Sequence, residues 1–162
     1  MKECSFSEIN NDGRSQLRQF VREYWGGDRM VTRGRIHYPA EQPGFWAEEA
    51  GRPVGLLTYD LQAGEMEVTL LQSRDRERGV GTRLVELALE KARALGCSRV
   101  WLVITNDNIR AFRFYQKRGF GLVRLHYDAV RESRKLKPQI PELGQEGIPI
   151  RHELELERRL EG

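Results

Sequence analysis

Residues 65–122 constrain this chain more than any other stretch. The apolar run Met66, Val68, Leu70 and Leu71 reads as a strand. It feeds the turn Arg74-Asp75-Arg76-Glu77-Arg78-Gly79-Val80-Gly81-Thr82, which opens directly into a helix. Leu84, Val85, Ala88, Leu89, Ala92 and Leu95 then recur at helical spacing, with Glu86, Glu90, Lys91 and Arg93 opposite them. Gly96 stands where such a helix stops. A β-branched and aromatic strand follows at 99–105. Then come the turn Asn106-Asp107-Asn108, a short helix at 109–118 closed by Gly119, and a strand at 120–127.

The chain before this stretch supplies a partner sheet. Residues 4–9 alternate loosely as a strand, and Asn10-Asn11-Asp12-Gly13 is a turn with capping residues. Leu17, Phe20, Val21 and Tyr24 mark an amphipathic helix at 14–25, stopped by Gly26-Gly27. Residues 28–43 show no period and read as a long loop, either functional or packed down by Ile36 and Tyr38. Strands at 44–50 and 54–61, joined by tight turns, make an antiparallel meander with the strand that begins at Glu65.

The tail breaks the rhythm. Residues 128–137 suggest a short basic helix ending before Pro138, and 138–149 a Pro- and Gly-rich loop. Ile150, His152, Leu154 and Leu156 then alternate with Arg151, Glu153, Glu155 and Glu157, as a half-exposed last strand would. The predicted fold is α/β, a mixed sheet with a helix-loop insert at 128–149. At 162 residues, one domain spanning 1–162 is expected. No apolar run approaches the roughly 18 residues of a membrane span, and the N-terminus has no apolar signal segment. A cytoplasmic protein is therefore expected, with Cys4 and Cys97 reduced. The net charge of +3 favours an anionic ligand only where positive charge is gathered, and arginines do gather between 74 and 83.

A strand running through Gly-x-Gly into a helix makes an anion site. The first helical turn has N–H groups without intrahelical partners, and the helix dipole adds positive charge. Gly79 and Gly81 allow close approach, Thr82 adds a hydroxyl, and Arg74, Arg76 and Arg78 add charge at the mouth. No Gly-Lys-Ser/Thr follows, so the Walker pattern fails. Gly79-Val80-Gly81-Thr82-Arg83-Leu84 lacks the third glycine of the dinucleotide fingerprint.

Arg76-Glu77-Arg78-Gly79-Val80-Gly81-Thr82 resembles the Arg/Gln-x-x-Gly-x-Gly/Ala signature of the GNAT acyltransferases. The segment from Asn108 through Ala111 and Tyr115 to Gly119-Phe120 resembles that family's second landmark, Asn-x-x-Ala-x-x-x-Tyr followed by Gly-Phe. The likeness covers roughly residues 3–127 and the last strand, and the insert at 128–149 departs from the plain pattern. It implies a mixed, mostly antiparallel central sheet of about seven strands flanked by helices. It implies transfer of an acetyl group from acetyl-CoA, the cosubstrate, to an amine, with no metal. Backbone groups of Leu70, Leu71 and Ser73 would pair with the pantetheine arm. Amides of Arg76, Glu77, Arg78, Gly79, Val80, Gly81 and Thr82 would hold the pyrophosphate, and Asn108, Phe114 and Tyr115 would meet the arm or its thiol end.

Within that resemblance Tyr115 is the candidate acid, because a phenol can donate to a departing thiolate. Glu65 and Glu67, at i and i+2, share a sheet face and are the candidate bases, with Glu67 nearer mid-strand. His37, Tyr38 and Trp46 are candidates to line an acceptor pocket built from 26–46 and the insert. The partner is a small-molecule or peptide amine. Neither nucleic acid nor membrane is expected, and a homodimer through the exposed last strand stays open. Two other functions compete: a non-catalytic acyl-CoA-binding sensor, and a nucleic-acid-binding protein using arginines 74–83 and the basic run at 131–137. The mild charge and the lack of interleaved aromatics argue against the last.

Overall fold

The element order is β1 (Ser5–Glu8), α1 (Arg14–Trp25), β2 (Met30–Thr32), β3 (Arg35–His37), β4 (Gly44–Glu49), β5 (Arg52–Gln62), β6 (Glu65–Ser73), α2 (Val80–Ala94), β7 (Arg99–Thr105), α3 (Ile109–Gln116), β8 (Gly121–His126), α4 (Ala129–Leu136) and β9 (Glu153–Arg159). This is a computed structural model, which describes residues 3–25, 27–74 and 79–161. Among those residues seven strands form one mixed, mostly antiparallel sheet, as expected, and β2 and β3 form a second, two-stranded one. The described residues divide into two compact units, one within 1–30, 38–100 and 160–162, the other within 31–37 and 101–159. No described helix is long and apolar enough to cross a membrane.

In the first unit the strand order is β1-β4-β5-β6, with every neighbouring pair antiparallel. The helical period of α1 buries Leu17, Phe20 and Val21 against Trp46 of β4, Leu56 of β5 and Leu70 of β6. Each such side chain contributes roughly 1.5–3 kcal/mol when fully buried. The entry to α1 is fixed locally: Asn10 Oδ1 accepts the Gly13 N–H at 3.1 Å, and the Arg14 guanidinium donates to the Ala40 carbonyl at 3.1 Å. Trp46 belongs to this core, its indole N–H donating to Ser7 Oγ at 2.7 Å. Helix α2 buries Val80, Leu84, Val85, Ala88, Leu89 and Ala92, and Lys91 and Arg93 in its last turn complement its dipole.

In the second unit the order is β7-β9-β8. The last strand is therefore interior, and β8 is the edge, which removes the exposed last strand as a dimer contact. A bulge leaves Val123 without a partner between the pairs Leu122–Leu156 and Arg124–Glu155. It returns Leu122 and Leu125 to the same face as Leu154 and Leu156, and puts Arg124 and His126 on the glutamate face. The Asn-rich turn is tied to the insert. Asn106 Oδ1 accepts the N–H groups of Arg151 at 2.8 Å and His152 at 2.9 Å, and Asp107 Oδ2 accepts that of Gln145 at 3.0 Å. Gly144 lies so close that a Cβ there would fall 1.9 Å from Asp107 Oδ2. These bonds hold residues 150–152 out of the ladder, so β9 starts at Glu153 rather than at 150 as the alternation predicts. The predicted loop at 28–43 contains the hairpin β2–β3, turned by Arg33 and Gly34 with φ of 51° and 71°. Positive φ at both central residues is the twist that two-residue hairpins prefer.

Candidate active site

The first unit carries Glu65, Glu67, Leu70, Leu71, Ser73 and Gly79 through Thr82. Strand β6 enters beside β5 with Glu67 opposite Asp60 and Val68 opposite Tyr59, but Leu70 rather than Thr69 opposite Thr58. Thr69 is the extra residue of a bulge, which interrupts the ladder and bends the strand. Because Asp60 and Thr58 are two residues apart, Glu67 and Leu70 come to share a face that strict alternation would deny them. Beside the bulge, Thr69 Oγ1 donates to Gln42 Oε1, so the 2.8 Å contact between Thr58 and Thr69 has Thr58 as donor. Leu71 and Ser73 pair across to Leu57 and Gly55 and are part-exposed.

The two candidate bases differ. Glu67 is 4 % exposed. The Glu65 side chain is 33 % exposed, and its Oε1 lies 3.2 Å from Arg99 Nε, an ion pair at the strand's start. Helix α2 begins at Val80 after Gly79, which takes φ 75° and ψ 9°, a left-handed conformation that a side chain would strain. The first intrahelical bond is Arg83 N–H to Gly79 O at 3.0 Å, so Val80, Gly81 and Thr82 hold the amides that lie before the helical ladder. No acidic side chain occupies that first turn. Such a turn, with its N–H groups and the positive end of the helix dipole, suits an anion. Arg74 packs over the rings of Phe20 and Tyr24, 5.7 and 5.8 Å from their centroids, and pairs with Glu23 at 3.4 Å. Arg76, Glu77 and Arg78 lie outside the described residues.

The second unit carries Asn108, Phe114 and Tyr115. Asn108 caps α3, its Oδ1 accepting the Ala111 N–H at 3.2 Å and the Gln145 side-chain amide at 3.1 Å. Phe114 is covered by the Arg118 guanidinium 3.7 Å from its centroid. Tyr115 is buried edge-on between Phe114 and Phe120, with centroids 5.1 and 5.4 Å away. Burial pushes its phenol well above the ordinary value of 10.0, and the Arg118 charge counters this in part. The hydroxyl therefore stays protonated across neutral pH. His37 is buried, whereas Tyr38 is among the exposed aromatics.

Sequence reasoning missed a charged network in this unit. Glu153 and Glu155 do not face water; they are 2 % and 3 % exposed. Glu153 accepts the Arg33 backbone N–H at 2.9 Å on Oε2 and the Ser133 hydroxyl at 2.9 Å on Oε1. Glu155 Oε1 lies 3.4 Å from an Arg33 guanidinium nitrogen and 3.1 Å from His126 Nε2. The Arg33 guanidinium also stands 5.5 Å over the Trp101 ring. The strict alternation of β9 was the available signal, because it says that Glu153, Glu155 and Glu157 share a face without saying what covers it.

Known proteins resemble this chain throughout. The family model described as "Acetyltransferase (GNAT) family" matches residues 11–120. The uncharacterized protein YdhI of Bacillus subtilis strain 168 is 37% identical over 146 residues, 90% of this chain and 91% of YdhI. A solved acetyltransferase of Bacillus subtilis in complex with CoA superposes with a TM-score of 0.66 at 19% identity, covering 99% of this chain and 100% of that one. A GNAT family acetyltransferase of Elizabethkingia anophelis with acetyl-CoA bound gives 0.67 at 13% identity, over 99% and 100% of the two chains.

Proposed function

The chain belongs to the GNAT acetyltransferase family, and from that premise we propose that this N-acetyltransferase moves an acetyl group from acetyl-CoA directly onto a primary amine in a ternary complex. The observation that carries the proposal is the pairing, within one unit, of a bulged β6 bearing buried Glu67 with an acid-free α2 N-terminus behind left-handed Gly79. Acetyl-CoA, bound by the relatives whose structures contain it or CoA, supplies an activated thioester.

The residues then divide the work. Amides of Gly79, Val80, Gly81 and Thr82 hold the pyrophosphate, joined by those of Arg76, Glu77 and Arg78. Backbone groups of Leu70, Leu71 and Ser73 pair with the pantetheine arm where the bulge interrupts the ladder, and Asn108 and Phe114 meet its far end. A β6 backbone N–H beside Leu70 polarises the thioester carbonyl. Glu67 accepts the proton of the attacking amine, directly or through one water, since a neutral amine is the nucleophile. Tyr115 donates a hydrogen bond to the departing sulfur; its burial makes full loss of the proton unfavourable, so it acts first as a donor. The hairpin at 31–37 and the insert at 128–149 take the acceptor.

The test is a free-thiol screen with acetyl-CoA and spermidine, kanamycin, lysine, an alanine-initiated tetrapeptide and small amines. At least one amine is expected to raise thiol release above the amine-free rate. Tyr115→Phe should slow that release by about 10²-fold, as loss of an acid–base partner does, while acetyl-CoA affinity by calorimetry holds. Tight acetyl-CoA binding with no release across the screen would leave an acyl-CoA sensor instead.

A further inference from the structure

We infer that Glu153 is a positioning residue for acceptor binding, the shared anchor through which the hairpin β2–β3 and the insert helix α4 hold one geometry. The inference rests on the reading above that these two segments take the acceptor.

A carboxylate 2 % exposed must have its lone pairs satisfied, because burying it unpaired is costly. The two oxygens of Glu153 are satisfied from two different segments. Oε2 takes the backbone N–H of Arg33, 120 residues away in sequence, at the tip of the hairpin. Oε1 takes the hydroxyl of Ser133, a residue 1 % exposed at the middle of α4. One side chain on an interior strand thus touches both.

Neither segment is rigid by its own means. The hairpin has two three-residue strands and stands as a separate two-stranded sheet, a structure marginal on its own. Its turn residue Arg33 sits at φ 51°, where a side chain is strained, so an outside contact at that amide helps select the turn. Helix α4 is eight residues long, and its N-cap Asp128 is left-handed with no side-chain cap bond. A helix so short depends on tertiary contacts. Its buried residues are Val130 and Ser133, and Ser133 is the one that bonds Glu153. Because Glu153 holds the hairpin tip with one oxygen and α4 with the other, a shift of either strains the contact to its counterpart. Glu155, two residues on, adds the Arg33 side chain to the same strand. The spacing of hairpin and insert, and so the size of amine admitted, is set at Glu153.

The test cuts the link from the α4 side, at a residue that leaves the hairpin's own atoms intact. Ser133→Ala in the full chain should speed amide hydrogen exchange of residues 31–37 by about 10-fold at the Arg33 amide, and Ser133→Thr, which keeps a hydroxyl, should restore protection. Glu153→Gln, which keeps one acceptor and one donor, should fall between. In the thiol assay, Ser133→Ala should raise KM for whichever of spermidine, kanamycin and the alanine-initiated tetrapeptide the native protein uses by fivefold or more, with acetyl-CoA Kd within twofold. Unchanged exchange at 31–37 would overturn the inference, since a purely local role for Ser133 predicts that. So would increased exchange with unchanged acceptor KM. If native protein acetylates no amine of the full screen, the proposed function has failed, and the exchange measurement alone still decides whether Glu153 couples the two segments.

Discussion

Strands β6 and β9 carry the same short pattern, a glutamate, one other residue and a second glutamate, yet the fold uses them differently. On β6, Glu65 sits at the strand's start, part-solvated beside Arg99, while Glu67 is buried near the bulge at Thr69. On β9 both glutamates are buried and bonded from covering segments, Glu153 by Arg33 and Ser133, Glu155 by Arg33 and His126. Alternation fixes that the members of each pair share a face. What lies over that face decides whether a carboxylate is part-solvated, buried, or used to hold other segments. Two identical patterns thus end in different surroundings, one beside a bulge in the strand and the other bonded to covering segments.

The largest expected effect separates the pairs by chemistry. Glu67→Gln removes the buried carboxylate proposed to accept the amine proton and should slow thiol release by about 10²-fold or more at neutral pH. Acetyl-CoA affinity by calorimetry should not move. A loss of only twofold, with Glu155→Gln showing the large one, would reverse the roles assigned to the two strands.

Next comes a stability effect on β9. Glu155→Gln discharges the partner of Arg33 and His126. A fully buried pair broken in this way costs about 3–5 kcal/mol, but the Arg33 side chain is 38 % exposed and keeps part of its hydration. About 2 kcal/mol is expected, hence a fall in Tm of roughly 4–8 °C for a chain of this size. A scan of Glu155→Gln beside Glu67→Gln checks it. Equal falls would mean that Glu67 also serves to hold structure.

The same contrast explains what was legible in the sequence. Helix α1 and the buried faces of α2 and β6 follow from period alone, because each packs one continuous apolar stripe: Leu17, Phe20 and Val21 in α1, Leu84 to Ala92 in α2. The glycine turn and its helix were readable because Gly79 and an acid-free first turn are local chemistry. The hairpin at β2–β3 was not. Its strands are three residues long, shorter than any period can reveal, and its turn is Arg-Gly rather than the Asn-Gly that marks such hairpins. The bulges at Thr69 and Val123 were equally hidden, since an extra residue in a ladder leaves no mark on hydropathy. Glu153 and Glu155 were misread for a deeper reason. A strand's own sequence cannot report that a hairpin more than a hundred residues upstream and a helix in the insert close over its charged side.

The smallest expected effect is at Glu65, and it is the sharpest check on the comparison. Glu65 and Arg99 are 3.2 Å apart with side chains 33 % and 17 % exposed, so solvent screens the pair and the ion pair is worth less than about 1 kcal/mol. Glu65→Gln should therefore shift Tm by no more than roughly 2–4 °C and leave thiol release within twofold. Glu65 and Glu67 differ by two residues and share a strand, so a general loss of negative charge from β6 would affect both substitutions alike. Only if burial beside the bulge makes the difference will Glu67→Gln stop the reaction while Glu65→Gln passes almost unnoticed. A large rate loss at Glu65 would instead make the pair act together, and Arg99→Met, which frees Glu65 from its ion pair, would then raise rather than lower the rate.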